Sequence, residues 1–122
     1  MSTKETYTWN FQFPSHINSE FIQLFIGLWQ MEINKKKEDH TLIMKMDISN
    51  LEKIDTSCIM SIGCYCLLNK KKIDSAVHSI EIILQSPTQK KYLDTLFNIC
   101  PPTRPIEFKT INDLIKNDLT KK

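Results

Sequence analysis

Glycine is nearly missing from this sequence: Gly27 and Gly63 are the two in 122 residues. So little glycine leaves no Gly-rich loop whose backbone N–H groups could wrap a phosphate, and nucleotide-binding motifs of that kind are excluded. A strong charge bias is lacking as well. Sixteen basic and fourteen acidic residues give a formal net charge of +2, whereas a nucleic-acid binder draws its affinity from a larger, clustered basic excess. No direct nucleic-acid contact is expected. Long apolar runs are also absent. The longest, Phe21 to Trp29, is interrupted by Gln23 and is shorter than the ~20 residues of a membrane-crossing helix. The opening Met1-Ser2-Thr3-Lys4-Glu5-Thr6 has no apolar stretch of the signal-peptide kind. The expectation is a cytoplasmic protein without membrane insertion.

Cysteine and histidine are present but not in ligand patterns. Cys58, Cys64, Cys66 and Cys100 contain no Cys-x-x-Cys pair, and Cys64 and Cys66 on one helix point to nearly opposite sides. They read as reduced thiols. His16, His40 and His78 have no Cys or His at ligand spacing, and they fall in expected surface loops. No nucleophile is placed with a base, so no catalytic residue, metal or cofactor is assigned.

Strands and helices alternate along what remains. Tyr7, Trp9, Phe11 and Phe13 alternate with polar residues, as in a half-buried strand. Asn18 or Ser19 can cap a helix running to about Lys36, with Phe21, Ile22, Phe25, Ile26 and Trp29 as its stripe. Thr41 to Ile48 reads as a central strand, and Ser49 to Asp55 as a loop. A second helix is predicted from near Ser57 to Lys70-Lys71-Lys72, with Ile59, Ile62, Gly63, Cys66 and Leu67 facing inward. The lysine runs 35–37 and 70–72 fall at expected helix C-termini, where cations complement the dipole. Ser79 to Gln85 is a third strand, Ser86-Pro87-Thr88 starts a third helix, and Ile106 to Phe108 is a short strand. A last helix is expected from about Ile111 to Leu119. The order βαβαβαβα predicts one α/β domain over residues 1–122, structured from about 7 to 119. Its sheet is expected to be mostly parallel, with four to five strands and flanking helices.

The loop before the second helix carries the candidate site. Helix N-termini outside the carboxyl ends of strands offer unpaired N–H groups and partial positive charge. Asp55, Thr56 and Ser57 place a carboxylate and two hydroxyls there. These are also ordinary N-cap residues, and spacing alone favours a simple cap. On the helix that follows, Met60, Tyr65 and Leu68 exceed one buried face. A contiguous exposed patch of such residues would mark a protein partner.

The longer string MDISNLEKIDTSCIMSIGCYCLL resembles the central segment of STAS domains, the fold of anti-sigma-factor antagonists. Asp47-Ile48-Ser49 stands where those domains end a strand, and Asp55-Thr56-Ser57-Cys58-Ile59 where a second motif opens a helix. The resemblance implies phosphorylation of Ser57, the second hydroxyl residue, ahead of Thr56. It implies a binding surface of Asp55, Thr56, Ser57, Cys58, Met60 and Ser61. The implied partner is an anti-sigma factor or serine kinase, with a phosphatase to reset the switch; a homodimer stays open. Cys58 stands where the family has glycine. That difference keeps an alternative in view, a phosphorylation-independent STAS adaptor docked on the ATPase of an ABC-type lipid transport complex.

Overall fold

The computed structural model describes residues 5–34 and 40–111. The chain forms β1 (Glu5–Gln12), β2 (His16–Ile17), α1 (Ser19–Asn34), β3 (His40–Asp47), β4 (Lys53–Ile54) and α2 (Thr56–Leu68). These are followed by α3 (Lys70–Ala76), β5 (Val77–Leu84), α4 (Pro87–Ile99) and β6 (Ile106–Thr110). The main sheet has the order β1-β3-β5-β6, and every pair in it is parallel. The fold is therefore α/β with a parallel sheet of four strands, as the alternation predicts. The last helix expected from sequence lies outside the described residues beyond Ile111, as does the lysine run 35–37.

Register explains which face is dry. Trp9, Met44, Ile80 and Ile106 form one cross-strand row, and Phe11, Met46, Ile82 and Phe108 the next. Each connection steps to the neighbouring strand in the same direction, so right-handed crossovers put their helices on one side. Accordingly Phe25 and Trp29 of α1, Ile62 of α2 and Leu93 of α4 share one core cluster with Met44, Met46 and Ile82. On the opposite face the row Asn10, Lys45, Glu81 and Glu107 is polar throughout, flanked by rows that mix polar residues with Ile43 and Ile83. There Lys45 Nζ lies 3.6 Å and Lys109 Nζ 2.7 Å from the Glu81 carboxylate.

Aromatic packing welds α1 to β1. Phe25 lies 5.0 Å from both Phe11 and Phe13, ring centre to ring centre, and stacks on Trp9 at 6.0 Å. The helix starts where Asn18 Oδ1 accepts from Phe21 N at 2.9 Å, a side-chain cap of the expected kind. Its outer side exposes Leu24, Leu28 and Met31.

Three differences from the sequence reading have local causes. The predicted second helix is interrupted at Asn69, whose backbone N–H and side-chain amide both donate to Tyr65 O at 3.0 Å. A side chain that competes for backbone carbonyls favours a break, and Lys70-Lys71-Lys72 consequently opens α3 instead of closing α2. Leu67, expected inside, is exposed, while Ile59, Ile62 and Gly63 are buried. The expected loops at His16, His40 and His78 are strand backbone in β2, β3 and β5. No helix among the described residues is long and apolar enough to cross a membrane.

Candidate functional site

The loop that leads to Asp55 is fixed from three directions. Its first turn is closed by Asp47, whose Oδ1 accepts from Ser49 N at 2.9 Å and from Ser49 Oγ at 2.6 Å. From the side, β4 pairs with β2, and Glu52 N and Lys53 N both donate to Ser15 O. From α4, the buried amide of Gln89 donates to Ser49 O at 3.0 Å and to Leu51 O at 2.9 Å. Its Oε1 accepts from Gln85 N and Ser86 N, while Ser86 Oγ accepts from Gln89 N, completing a capping box. One glutamine thus ties the start of α4 to the loop after β3. Asp47 and Ser49 serve here as turn-forming residues, and four polar groups of the loop and helix end are satisfied without water.

This frame presents the start of α2 at the carboxyl end of the sheet. Asp55 is the N-cap residue, with φ −70° and ψ 142°, and its carbonyl accepts from Cys58 N and Ile59 N. Its side chain makes no capping hydrogen bond. Thr56 and Ser57 are the first two helical residues and both are exposed. Neither hydroxyl has a partner among the described residues. Capping is therefore not what these three side chains do. First-turn N–H groups have no intrahelical acceptor of their own, and α2 has no acidic residue in its first turn. The potential at Ser57 thus suits added negative charge, apart from the neighbouring Asp55 carboxylate.

The six residues expected to meet a partner separate into two groups. Asp55, Thr56, Ser57, Met60 and Ser61 are exposed, and Met60 and Ser61 lie one helical turn beyond Thr56 and Ser57. Ser61 Oγ donates back to Ser57 O at 3.0 Å. Cys58 differs: it is 2% exposed, with Sγ 3.9 Å from Ile17 O. Its side chain faces the core beneath β2 and offers a partner no surface. The Cys58 side chain fills an interior position and adds nothing to the outer profile of the helix start.

Apolar surface continues along the same helix through Met60, Leu67 and Leu68, with Leu68 85% exposed. Tyr65, grouped with them from sequence, is half-buried and packs its ring 5.3 Å from Trp29. No group of three or more His, Cys, Asp or Glu among the described residues is placed to hold a metal ion. Sequence reasoning missed Gln89, because an isolated glutamine three residues after a serine signals only a helix start. It also missed that Cys66 meets Cys100. Comparison with protein-family models, with curated proteins and with solved structures finds no match to this chain.

Proposed function

We propose that this chain is a regulatory protein of the STAS type. It binds a serine kinase or anti-sigma factor through the start of α2 and is switched by phosphorylation at Ser57. The observation that carries the reading is the unengaged, exposed hydroxyl of Ser57 on a helix N-terminus held rigid by Gln89 and the β2–β4 pair. A phosphate adds about −1.5 to −2 charges. Within this chain the helix end tolerates them. On a docked partner the same charge, beside Asp55 and above the apolar Met60, meets a surface selected for a neutral hydroxyl. Losing about 1.4 kcal/mol of contact lowers affinity tenfold, so a single phosphate is enough to release the partner.

The partner is first identified by co-purification from the cells that make the chain. It is then titrated against wild type, Ser57→Ala and Ser57→Asp. The expected result is binding by Ala and loss of binding by Asp, with mass spectrometry placing one phosphate on Ser57 after incubation with partner and ATP. Equal binding by Ala and Asp, with no phosphate, refutes the switch and leaves a static dock as the remaining use of this surface.

A further inference from the structure

A helix that faces water ordinarily carries charge on its outer side, and α1 does not. From Gln23 to Asn34 none of its exposed positions is charged, and only the half-buried Glu32 borders them. Leu24, Leu28 and Met31 follow one another there at helical spacing; Leu24 and Met31 are 57% and 58% exposed. Tyr65 of the neighbouring α2 packs on Trp29, and one turn beyond it the exposed Leu68 carries the apolar surface past the Met31 end. Contiguous apolar surface of this kind marks an interaction site.

Gly27 stands in the middle of this ridge. A glycine inside a helix weakens it relative to alanine, and nothing within the chain requires one here, since a Cβ would meet no atom within 4 Å. The bare position serves an approach from outside. The ridge also reads alike in both directions. Two copies of α1 set antiparallel about a twofold axis between Gly27 and Leu28 bring Leu24 against Met31 of the other copy, and Leu28 over its Gly27. Charge selects the same direction. Parallel copies would place the two Glu20 carboxylates together, whereas antiparallel copies hold them about 20 Å apart along the axis at 1.5 Å per residue. Each Glu20 then faces the far end of the other helix, after which the sequence continues Lys35-Lys36-Lys37.

We propose that the outer face of α1 is a self-association surface on which a second copy of this chain docks antiparallel, Leu24 against Met31 and Leu28 over Gly27. Three apolar side chains with Leu68 at their edge give less area than the roughly 800 Å² that each partner contributes to a standard interface. The dimer therefore dissociates on dilution, with a Kd between about 1 μM and 1 mM. The surface is separate from Ser57 and does not depend on the reading of that residue.

Sedimentation velocity of the full chain, run from about 1 μM to 1 mM, is expected to show monomer passing to dimer as concentration rises. Leu24→Lys and Met31→Glu each change an exposed side chain, so the fold is kept, as circular dichroism checks. Each is expected to raise Kd about tenfold or more by pressing an unpaired charge against apolar surface. Combined in one chain, the two changes restore the dimer, because in the antiparallel register each new cation faces a new anion of the other copy. Gly27→Ala is expected to weaken the dimer while raising the urea midpoint of the dilute monomer, a split that a purely structural glycine cannot give. A chain that stays monomeric throughout overturns the proposal, whether the ridge is then bare or taken by another protein. So does a double variant that associates no better than the single ones, or a Gly27→Ala chain that dimerises as tightly as wild type.

Discussion

The two glycines make a paired test of how tightly α2 and α4 pack. Gly27 and Gly63 both lie inside helices, where Gly→Ala should stabilise by about 0.5–1 kcal/mol through helix propensity. A Cβ on Gly27 would meet nothing within 4 Å, so Gly27→Ala is expected to realise that gain. A Cβ on Gly63 would lie 2.5 Å from Ile99 Cγ2 and 3.0 Å from Ile99 Cβ. Rotating the isoleucine can withdraw Cγ2 but not Cβ, so the two helices must separate. Overpacking of this kind costs about 1–3 kcal/mol, which exceeds the propensity gain. Gly63→Ala should therefore be destabilised by up to about 2 kcal/mol, and at about 4 °C per kcal/mol the midpoint falls by several degrees. Urea unfolding reads both variants, with m unchanged and the midpoint moving in opposite directions. Ile99→Ala in the Gly63→Ala background should recover part of the loss, because the two positions are in contact. If Gly63→Ala stabilises as much as Gly27→Ala, the close approach of α2 and α4 is wrong.

Gln89→Leu is expected to lower stability by about 2–3 kcal/mol in urea, since its amide satisfies two loop carbonyls and two N–H groups in a buried position. Gln89→Glu keeps the acceptor toward Gln85 and Ser86 but turns an oxygen on Ser49 and Leu51, so it should also destabilise. The Lys109 hydrogen bond, with Lys45 nearby, holds the Glu81 carboxyl below the usual carboxylate range. A lowered folded-state pKa means that this contribution is present above the unfolded value and is lost as pH falls through the folded one. Glu81→Gln should therefore flatten the acid side of the stability–pH curve and leave its shape above pH 6 unchanged. With its pKa at about 12, Cys66 should react slowly with a thiol reagent at pH 8. Exposed Cys64 reacts first, and Cys58 only on unfolding; the count is read by mass spectrometry, and early labelling of Cys66 contradicts its burial.

Periodicity exposed the long elements and missed the short ones. Alternating apolar residues located β3 and β5 to within two residues, because each buries one face along its whole length. Ser86-Pro87 marked the start of α4 through local chemistry alone. The pair His16–Ile17 with Lys53–Ile54 was invisible, since two-residue strands have no period to detect and their pairing adjoins the two N–H groups gathered by Ser15 O. The break at Asn69 was missed for another reason: lysines 70–72 are good helix formers, and the competing Tyr65 carbonyl is seen only in three dimensions. At the site, the position of Ser57 on a helix start was legible from Asp-Thr-Ser after an apolar strand. The inward turn of Cys58 was not, because it depends on β2 lying over that residue.

Strand order in the main sheet repeats chain order, β1-β3-β5-β6. Each strand leaving the ribosome thus finds its hydrogen-bonding neighbour already made, and none must wait for a later segment. No strand is inserted between two earlier ones, so the sheet grows at one advancing edge. Such an arrangement keeps pairing partners close along the chain, which lowers the entropic cost of closing each crossover and favours assembly from the amino end during synthesis.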